Sequence, residues 1–587
     1  MKEVLAANEE AYKKRFGISL NKIWHELSEE QREHYQTEAE VYIKAPIPQG
    51  YRFESEEILR IVIGYRNSEQ IRCAFENAVA PTRLLLWEPD EAVFIAGCVY
   101  EDLTQYINDD RINIALGSGE DILKRALGES VSEHNLMHRH IYAYGEYLKP
   151  DNEHVELFLK VFEKFYYDMA SQMHFRKQYE HRVYENVLYT VNVLNDNSTI
   201  DQLFETIPTR DIPVIIVAAG PSLMKNCREL KRAKGRAIIV AVAHSMKTLA
   251  REGIRPDIVA TTDPKSPFFL DFDKKRDYNL LCCVYVNRVF QEAYNGKLIF
   301  YGFPMFRELF SSKRTDSEIT AELDTGSVAT DILSLFIAAG FKRFILVGQD
   351  LAYNDEGLSH TEVQMEIRKK DEKGIFPETD GINGGKVRTR DDWQLFREYY
   401  EKRINSDETL EIIDATEGGA LIHGSKVMTL SDAIDEYCKA EYQVDDWIAG
   451  IQKGDVEEKC YIDEWFTNQI EMNQRTEINL DRIIALNEEI TAGWNNTHQW
   501  NDEYSAKCRS YDIIYHVIME GTDGAPLREY CRADLERYIE DALIYEGDNN
   551  IESRMKREYD LFVLMRDKLA ILQEFIREIR FGDDKGC

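Results

Sequence analysis

Short apolar runs alternate with amphipathic segments through the middle of the chain, from about residue 206 to 435. Runs rich in Val and Ile predict buried strands, and the segments between them carry apolar residues at helical spacing. The predicted strands are PVIIVAAG (213–220), AIIVAVA (237–243), PDIVATTD (256–263), KLIFYG (297–302), RFILVGQD (343–350) and LEIIDAT (410–416). The predicted helices are 222–233, 245–253, 327–340 and 393–404. This alternation is typical of a parallel sheet covered on both faces, so the region predicts a Rossmann-like, doubly wound α/β domain.

The regions on either side have a different pattern. Residues 1–205 mix amphipathic helices with the apolar runs RIVIGY (60–65) and RLLLWEP (83–89), which predicts an α/β N-terminal domain. After about residue 436 the strand signals vanish, and long charged segments with helical spacing predict an all-helical C-terminal domain. The sequence therefore predicts three domains, at 1–205, 206–435 and 436–587.

Composition restricts the classes of partner. The 587 residues carry a formal net charge of −33, which disfavours nucleic acid and anionic membrane surfaces. No apolar run approaches the roughly 18 residues of a membrane-spanning helix, and the N-terminus is polar, so we expect no membrane insertion and a cytoplasmic location. The ten cysteines form no C-x-x-C pair, which indicates reduced thiols and neither a disulfide framework nor a zinc site.

Polar residues follow several predicted strands, at the carboxyl ends where open α/β sheets bind ligands. Gly220 permits close backbone approach, and Ser222 starts a predicted helix whose free N–H groups favour an anion. Helix capping alone is the structural alternative for Ser222 and for Asp263. The first three strand ends together carry Gly220, Pro221, Ser222, His244, Thr262 and Asp263.

The remaining strand ends add a second group of candidates. Ser327 starts the predicted helix 327–340, another N-terminus suited to phosphate. His360 has an unperturbed pKa near neutrality, so it is a candidate general acid or base, with simple solvation as the alternative. The residues of this group are Thr325, Gly326, Ser327, Gln349, Asp350, Tyr353, His360, Gly418 and Gly419.

Five segments between 214 and 424 resemble, in this order, the Maf (motility accessory factor) family of flagellin glycosyltransferases, whose central domain is also called MptE-like. The segments are VIIVAAGPSLMKN, GIRPDIVATTDP, TGSVATDILSLFIAAGFKRFILVGQDLAY, GLSHTE and DATEGGALIHG. A more distant similarity reaches the bacterial family forty-two sialyltransferases. Ala219 and His244 stand where those enzymes have asparagine, and their catalytic histidine would fall near 384–390, where this chain has none.

The resemblance implies an inverting transfer of a pseudaminic- or legionaminic-type nonulosonic acid from its CMP form to Ser or Thr of flagellin. It implies a role in flagellum assembly and motility, with CMP-nonulosonic acid and flagellin as partners and with no metal or other cofactor. The strand-end residues named above would bind the donor, and His360 is preferred to Asp263 as catalytic base. Arg388 and Arg390 are candidates to pair with the sugar carboxylate, with solvated loop cations as the alternative.

Two other functions compete with this hypothesis. The MptE-like name also covers a 6-hydroxymethylpterin diphosphokinase, which transfers pyrophosphate from ATP and for which Asp263, Asp324 and Asp350 could hold Mg²⁺. The long flanking regions favour a macromolecular acceptor over a small pterin. The third hypothesis is a non-catalytic flagellin-binding chaperone that acts through its helical C-terminal region.

Overall fold

The computed structural model describes most of the chain. The described residues are 2–44, 52–55, 57–76, 78, 82–149, 151–264, 277–292, 294–302, 326–361, 376–454, 456–497, 502–544 and 551–582. They form two compact units. The N-terminal unit comprises Met1–Gln178, Thr491–His498 and Arg532–Phe562, and the central unit comprises Tyr179–Ile490, Gln499–Cys531 and Val563–Cys587.

The elements follow in chain order. The strands are β1 (Leu59–Ile63), β2 (Arg83–Glu88), β3 (Ile112–Leu116), β4 (Arg139–Ala143), β5 (Ser198–Thr199), β6 (Val214–Val217), β7 (Ile238–Val242), β8 (Ile258–Thr261), β9 (Leu280–Cys283), β10 (Leu298–Tyr301), β11 (Arg343–Val347), β12 (Glu378–Asp380), β13 (Lys386–Arg388), β14 (Glu411–Asp414) and β15 (Lys426–Val427). The helices up to residue 338 are α1 (Lys2–Phe16), α2 (Leu20–Glu26), α3 (Glu29–Lys44), α4 (Ser68–Cys73), α5 (Glu91–Tyr100), α6 (Thr104–Ile107), α7 (Glu120–Ser130), α8 (Glu133–Leu136), α9 (Glu153–Val193), α10 (Ile200–Thr206), α11 (Leu223–Asn226), α12 (Leu230–Ala233), α13 (Met246–Arg251), α14 (Arg288–Glu292) and α15 (Val328–Ala338). The later helices are α16 (Asp391–Ser406), α17 (Leu430–Tyr437), α18 (Val444–Ala449), α19 (Val456–Thr497), α20 (Asp502–Met519), α21 (Ala525–Tyr530), α22 (Arg532–Ile544) and α23 (Ile551–Phe581).

The N-terminal unit is built on a four-stranded parallel sheet in the order β3-β2-β1-β4. Alternate residues of its strands enter two different cores, because successive side chains of a strand point to opposite faces. Leu84 and Leu86 lie in one core with Tyr12 of α1, whereas Leu85 and Trp87 lie in the other with Phe158 of α9. Both faces are covered, so the predicted α/β N-terminal region is confirmed.

The central unit contains a nine-stranded parallel sheet in the order β15-β14-β11-β6-β7-β8-β9-β10-β5. The chain passes outward from β6 to β10 and then returns to β11 on the other side of β6. The strand order therefore reverses between β6 and β11, which is the point where open α/β sheets bind ligands. Val214–Val217 and Ile238–Val242 are buried throughout, as strands covered on both faces require.

The fold class predicted from the sequence is confirmed: a Rossmann-like, doubly wound parallel sheet, an α/β N-terminal region and helices throughout the described residues after 430. The helices after residue 436 are shared between the two units. The domain boundaries at 205 and 435 stay a prediction. Within the described part of the chain, no helix combines the length and the apolar character that crossing a membrane requires.

Candidate active site

The loops that follow β6 and β11 are hydrogen-bonded to each other at the point where the strand order reverses. The backbone N–H of Gly220 donates to the Gly348 carbonyl at 2.8 Å. The hydroxyl of Ser222 donates to Oδ2 of Asp350 at 2.7 Å, and the Ser222 backbone N–H lies 3.1 Å from Oδ1. Three residues predicted as donor-binding, Gly220, Ser222 and Asp350, are thus in one cluster.

Three glycines allow the loops to close around Asp350. A Cβ on Gly220 would lie 1.9 Å from Asp350 Oδ2, and one on Gly419 would lie 2.1 Å from the Asp350 carbonyl oxygen. A Cβ on Gly418 would lie 3.1 Å from Ser222 Cβ. The sequence indicated that glycine permits close approach here, and the structure shows that the approaching group is Asp350 of the protein itself.

Ser222 does not form the helix cap that the sequence predicted for it. The predicted helix 222–233 is divided into α11 and α12 by a short 3₁₀ turn, and Ser222 makes no capping hydrogen bond. Its hydroxyl is directed to Asp350 because that carboxylate, which is 5% exposed, needs donors inside the protein. The prediction of a long, capped helix at this position is wrong, and α11, with four residues, is too short to supply a helix dipole to a ligand.

Asp350 has a neighbour that the sequence reasoning missed. Asp414, at the end of β14, is fully buried and accepts a bond from the Thr416 backbone N–H at 3.1 Å. Burial raises the pKa of Asp350 to about 6, and the Ser222 bonds oppose this. Burial also raises the pKa of Asp414 to about 6, and the charge of Asp350 adds to this effect. The available signal was the acidic residue that ends the apolar run LEIIDAT.

Three buried acceptor oxygens close to residues 414–416 have no donor among the described residues. They are Asp414 Oδ2, Gln349 Oε1 and Asn226 Oδ1. The Asn226 amide donates to the Ala415 carbonyl at 3.0 Å, and the Gln349 backbone N–H lies 3.3 Å from Thr416 Oγ1. Buried acceptors of this kind normally take a donor from water or a ligand. Gln349 was predicted from the sequence as donor-binding, and Asn226 was not.

The two candidate histidines lie near each other. The Thr361 backbone N–H donates to the Ala219 carbonyl at 3.1 Å, which holds the segment carrying His360 against the loop after β6. His244 follows β7, the neighbour of β6, and the ring centroids of His244 and His360 are 6.3 Å apart. Nδ1 of His360 is 3.0 Å from the Ser359 hydroxyl. The structure thus brings the two histidines together at the carboxyl ends of β6 and β7.

Thr262 and Asp263 follow β8, the next strand of the sheet. The Asn287 backbone N–H donates to the Asp263 carbonyl at 3.1 Å, and the Cys283 thiol donates to the Thr262 carbonyl at 3.6 Å. Because β6, β7 and β8 are parallel neighbours, Asp263 lies at the same edge as His244. We call the loops that follow β14, β11, β6, β7 and β8 (415–419, 348–353, 218–222, 243–245 and 262–264) the carboxyl rim.

Ser327 is a true helix cap. It precedes α15, and its hydroxyl accepts a bond from the Thr330 backbone N–H at 3.2 Å. Gly326 has φ +77°, and a Cβ there would lie 2.9 Å from the Phe396 ring. In the first turn of α15, Asp331 accepts a bond from the Tyr301 hydroxyl at 3.2 Å. Thr325 and Asp324, which the sequence also pointed to, lie outside the described residues.

Arg388 belongs to a β-hairpin and not to a loop, whereas Arg390 immediately precedes α16. Strands β12 and β13 pair in antiparallel fashion, and the Thr389 hydroxyl donates to the Leu351 carbonyl at 2.7 Å. Arg390 makes a bidentate ion pair with Asp392 and stacks over the Trp393 ring at 4.1 Å. Arg388 is exposed, and Tyr353 packs against Trp393 at 5.0 Å. Asp392 and Trp393 therefore hold the half-buried Arg390 guanidinium, and Arg388 is the more accessible of the two cations.

Of the three magnesium ligands predicted for the alternative hypothesis, Asp263 and Asp350 lie among the described residues and Asp324 does not. Within the ranges that the structure covers, no group of three or more His, Cys, Asp or Glu side chains is arranged to hold a metal ion. Asp350 is enclosed by Ser222 and the glycines, and Asp263 follows a strand two places away from β6.

The chain is similar to known proteins in sequence over one segment and in fold over almost its entire length. Residues 185–356 match the family model described as 6-hydroxymethylpterin diphosphokinase MptE-like. No curated protein matches the sequence. The structure is similar to a solved MAf glycosyltransferase from Magnetospirillum magneticum AMB-1, with a TM-score of 0.63 and 13% sequence identity, over 99% of this chain and 98% of that one. The resemblance drawn from the sequence is therefore confirmed for the fold: this chain has the fold of a Maf glycosyltransferase along almost its entire length, with an MptE-like segment at 185–356.

Proposed function

We propose that this protein is a glycosyltransferase that moves a nonulosonic acid of the pseudaminic or legionaminic type from its CMP form to Ser or Thr of flagellin. The observation that carries the proposal is the similarity in fold to a Maf glycosyltransferase over 99% of the chain. The position of the carboxyl rim, where the strand order reverses between β6 and β11, supports it.

The transfer forms a bond between the acceptor hydroxyl oxygen and the anomeric carbon. It breaks the bond from that carbon to the phosphate oxygen of CMP, which departs with the electron pair. His360 accepts the proton of the acceptor hydroxyl, since it lies beside the β6 loop and near His244. Asp263, farther along the carboxyl rim, is the second candidate. A single displacement inverts the anomeric configuration and needs no metal in this proposal.

The leaving phosphate is negative and requires donors. In this proposal α15 supplies them, because it has 11 residues and its N-terminus is at Ser327. Ser222 has a different role here from the anion binding that the sequence suggested, because its hydroxyl donates to Asp350. We propose that Ser222 and Asp350 fix the loop over which the donor lies, and that Gly220, Pro221, Gly418 and Gly419 provide backbone contacts. Gln349, Tyr353, Thr262, Thr325 and Gly326 complete the proposed donor site.

Intact-mass analysis of flagellin tests the transfer. Flagellin is produced together with this protein and a pathway for CMP-nonulosonic acid, and we expect a mass increment equal to the sugar. Removing a general base costs about a hundredfold or more in rate, so His360→Ala should abolish the increment. His516→Ala is the matched control, because His516 is exposed on α20 and pairs with Glu520 at 3.0 Å. Unmodified flagellin with the wild-type protein contradicts the proposal.

The family model that matches 185–356 favours one further candidate function, pyrophosphate transfer to a pterin. That reaction normally requires Mg²⁺ to bridge phosphate oxygens. Sugar transfer that continues in EDTA supports the glycosyltransferase, and EDTA-sensitive conversion of ATP and hydroxymethylpterin supports the alternative. The chaperone hypothesis fails if a variant with both Asp263→Ala and His360→Ala still binds flagellin but no longer modifies it.

A further inference from the structure

The N-terminal unit contains a cavity of about 220 Å³ at the amino ends of β2 and β3. We call it the arginine cavity. It is lined by Arg15, Phe16, Arg83, Asp110, Arg111, Asn113, Arg125, Glu129 and Ser130. The end of α1, the starts of the two strands and the second half of α7 supply these residues.

At the opposite end of this sheet, side chains of the protein occupy the reversal point. The strand order reverses between β1 and β4, where a nucleotide would be expected. The Tyr147 hydroxyl donates to the buried Glu88 carboxylate there, and the Tyr65 backbone N–H donates to the same group at 2.7 Å. A Cβ on Gly64 would lie 2.6 Å from the Tyr147 ring. Side chains of the protein fill this crevice, so the arginine cavity is a separate feature.

The charge around the cavity is opposite to that of the whole protein. Four of its nine lining residues are arginines and two are acids, in a chain whose net charge is −33. None of the nine is lysine. Arginine is preferred over lysine where phosphate is bound through paired N–H groups, because the planar guanidinium presents its donors as a rigid fork.

Three of the guanidinium groups make hydrogen bonds or ion pairs within the N-terminal unit. Arg15 donates to the Asp109 carbonyl at 2.7 Å, and Arg111 forms a bidentate pair with the Asp109 carboxylate. Arg125 donates through Nε to Glu129 at 3.0 Å. Since a guanidinium has five N–H donors, each group retains donors for a ligand.

The fourth arginine, Arg83, has a side chain without a polar partner among the described residues. Arg83 is the first residue of β2, and its backbone N–H donates to the Ile58 carbonyl at 2.8 Å. Its exposed side chain makes no hydrogen bond or ion pair with any described residue. An anion with several oxygens could bind this unpaired cation together with the free N–H groups of the other three arginines. A carboxylate is planar and has two oxygens, whereas a pyrophosphate can accept bonds from several directions.

We propose that the arginine cavity is a binding site for a pyrophosphate group, either free or as the terminal part of a nucleoside diphosphate. Its volume lies below the roughly 300 to 1,000 Å³ of sites that enclose a complete small-molecule ligand, so it fits the phosphates and not the nucleoside. The site is independent of the carboxyl rim and of the proposed transfer reaction.

Calorimetric titration of the full-length protein with sodium pyrophosphate at low ionic strength tests the site. We expect saturable binding to the wild-type protein, and about tenfold weaker binding for Arg83→Gln and for Arg125→Gln, as loss of a charge-assisted contact implies. Arg52→Gln is the matched control, since Arg52 is an exposed arginine outside the cavity lining, and it should bind as the wild type does. His360→Ala should also bind normally, which separates this site from the carboxyl rim.

Titrations with ADP and with citrate show which kind of anion the arginine cavity binds. If the wild-type protein binds ADP and Arg83→Gln does not, the ligand is the terminal part of a nucleotide. If the wild-type protein binds pyrophosphate but not ADP, the ligand is free pyrophosphate. The thermal midpoint of Arg83→Gln should equal that of the wild type, because the exposed side chain makes no hydrogen bond or ion pair with a described residue. The proposal is overturned by absent pyrophosphate binding, by unchanged affinity in Arg83→Gln and Arg125→Gln, or by equally tight binding of citrate.

Discussion

Burial changes the acid–base chemistry of two carboxyl groups on the carboxyl rim, Asp350 and Asp414. Each has a pKa raised to about 6, mainly because a buried charge loses its hydration. A carboxyl group whose pKa is raised in the folded state favours folding only while it is protonated. Its contribution is fully present below the ordinary pKa of 3.8 and is lost as the pH rises through about 6.

Asp414→Asn should therefore stabilise the protein at pH 8. The variant removes a buried charge whose cost at that pH is on the order of 1 to 3 kcal/mol. We expect its thermal midpoint to exceed that of the wild type at pH 8 and the difference to shrink at pH 5.5, where the aspartate is largely protonated. Calorimetry at the two pH values measures this. A difference that does not depend on pH would contradict the assignment.

At the scale of elements, the junction of β6 and β11 determines the shape of the site. Continuous apolar runs predicted both strands closely, because a strand that is buried on both faces is apolar along its whole length. Helical spacing of apolar residues predicted α15 closely as well. The same reasoning failed for 222–233. The helix breaks there because tertiary contacts take the Ser222 hydroxyl to Asp350 and the Asn226 amide to Ala415, 128 and 189 residues away.

Gly220→Ala should open this junction. The added Cβ would lie 1.9 Å from Asp350 Oδ2 and 2.5 Å from the Gly348 carbonyl oxygen, so the loops must separate, at a cost of about 3 kcal/mol. Gly128→Ala is the matched control, because nothing lies within 4 Å of its Cβ position in α7, and there we expect a gain of up to about 1 kcal/mol. Thermal unfolding measures both changes. Equal stability of the two variants would show that the junction does not require glycine.

At the scale of the whole molecule, the second half of α9 contacts helices from the end of the chain. Within the central unit, the Tyr530 hydroxyl donates to Glu185 at 2.9 Å, and the Asn192 amide donates to the Ile579 carbonyl at 2.9 Å. The Ser198 hydroxyl likewise donates to the Gln452 carbonyl at 2.9 Å. The parallel sheet thus relies on partners that lie outside the predicted domain 206–435.

A polypeptide limited to residues 206–435 should not fold cooperatively. It lacks β5, α9 and every helix from α18 onward, so apolar surface that these elements cover would be exposed to water. We expect a larger hydrodynamic radius and a weak, broad thermal transition compared with the full chain. A sharp transition near the midpoint of the full-length protein would instead show that the predicted boundaries enclose an autonomous domain.

The sequence by itself determined the layered α/β architecture, the long C-terminal helices and the strand ends that carry polar residues. These features depend on periodicity and on local turn chemistry, which are properties of neighbouring residues. Only the tertiary structure decided that Asp350 binds Ser222 and that Asp414 belongs to the same cluster. It also decided that four arginines surround one cavity. Such pairings join residues from different elements, and distances between elements are set by packing, which no local pattern records.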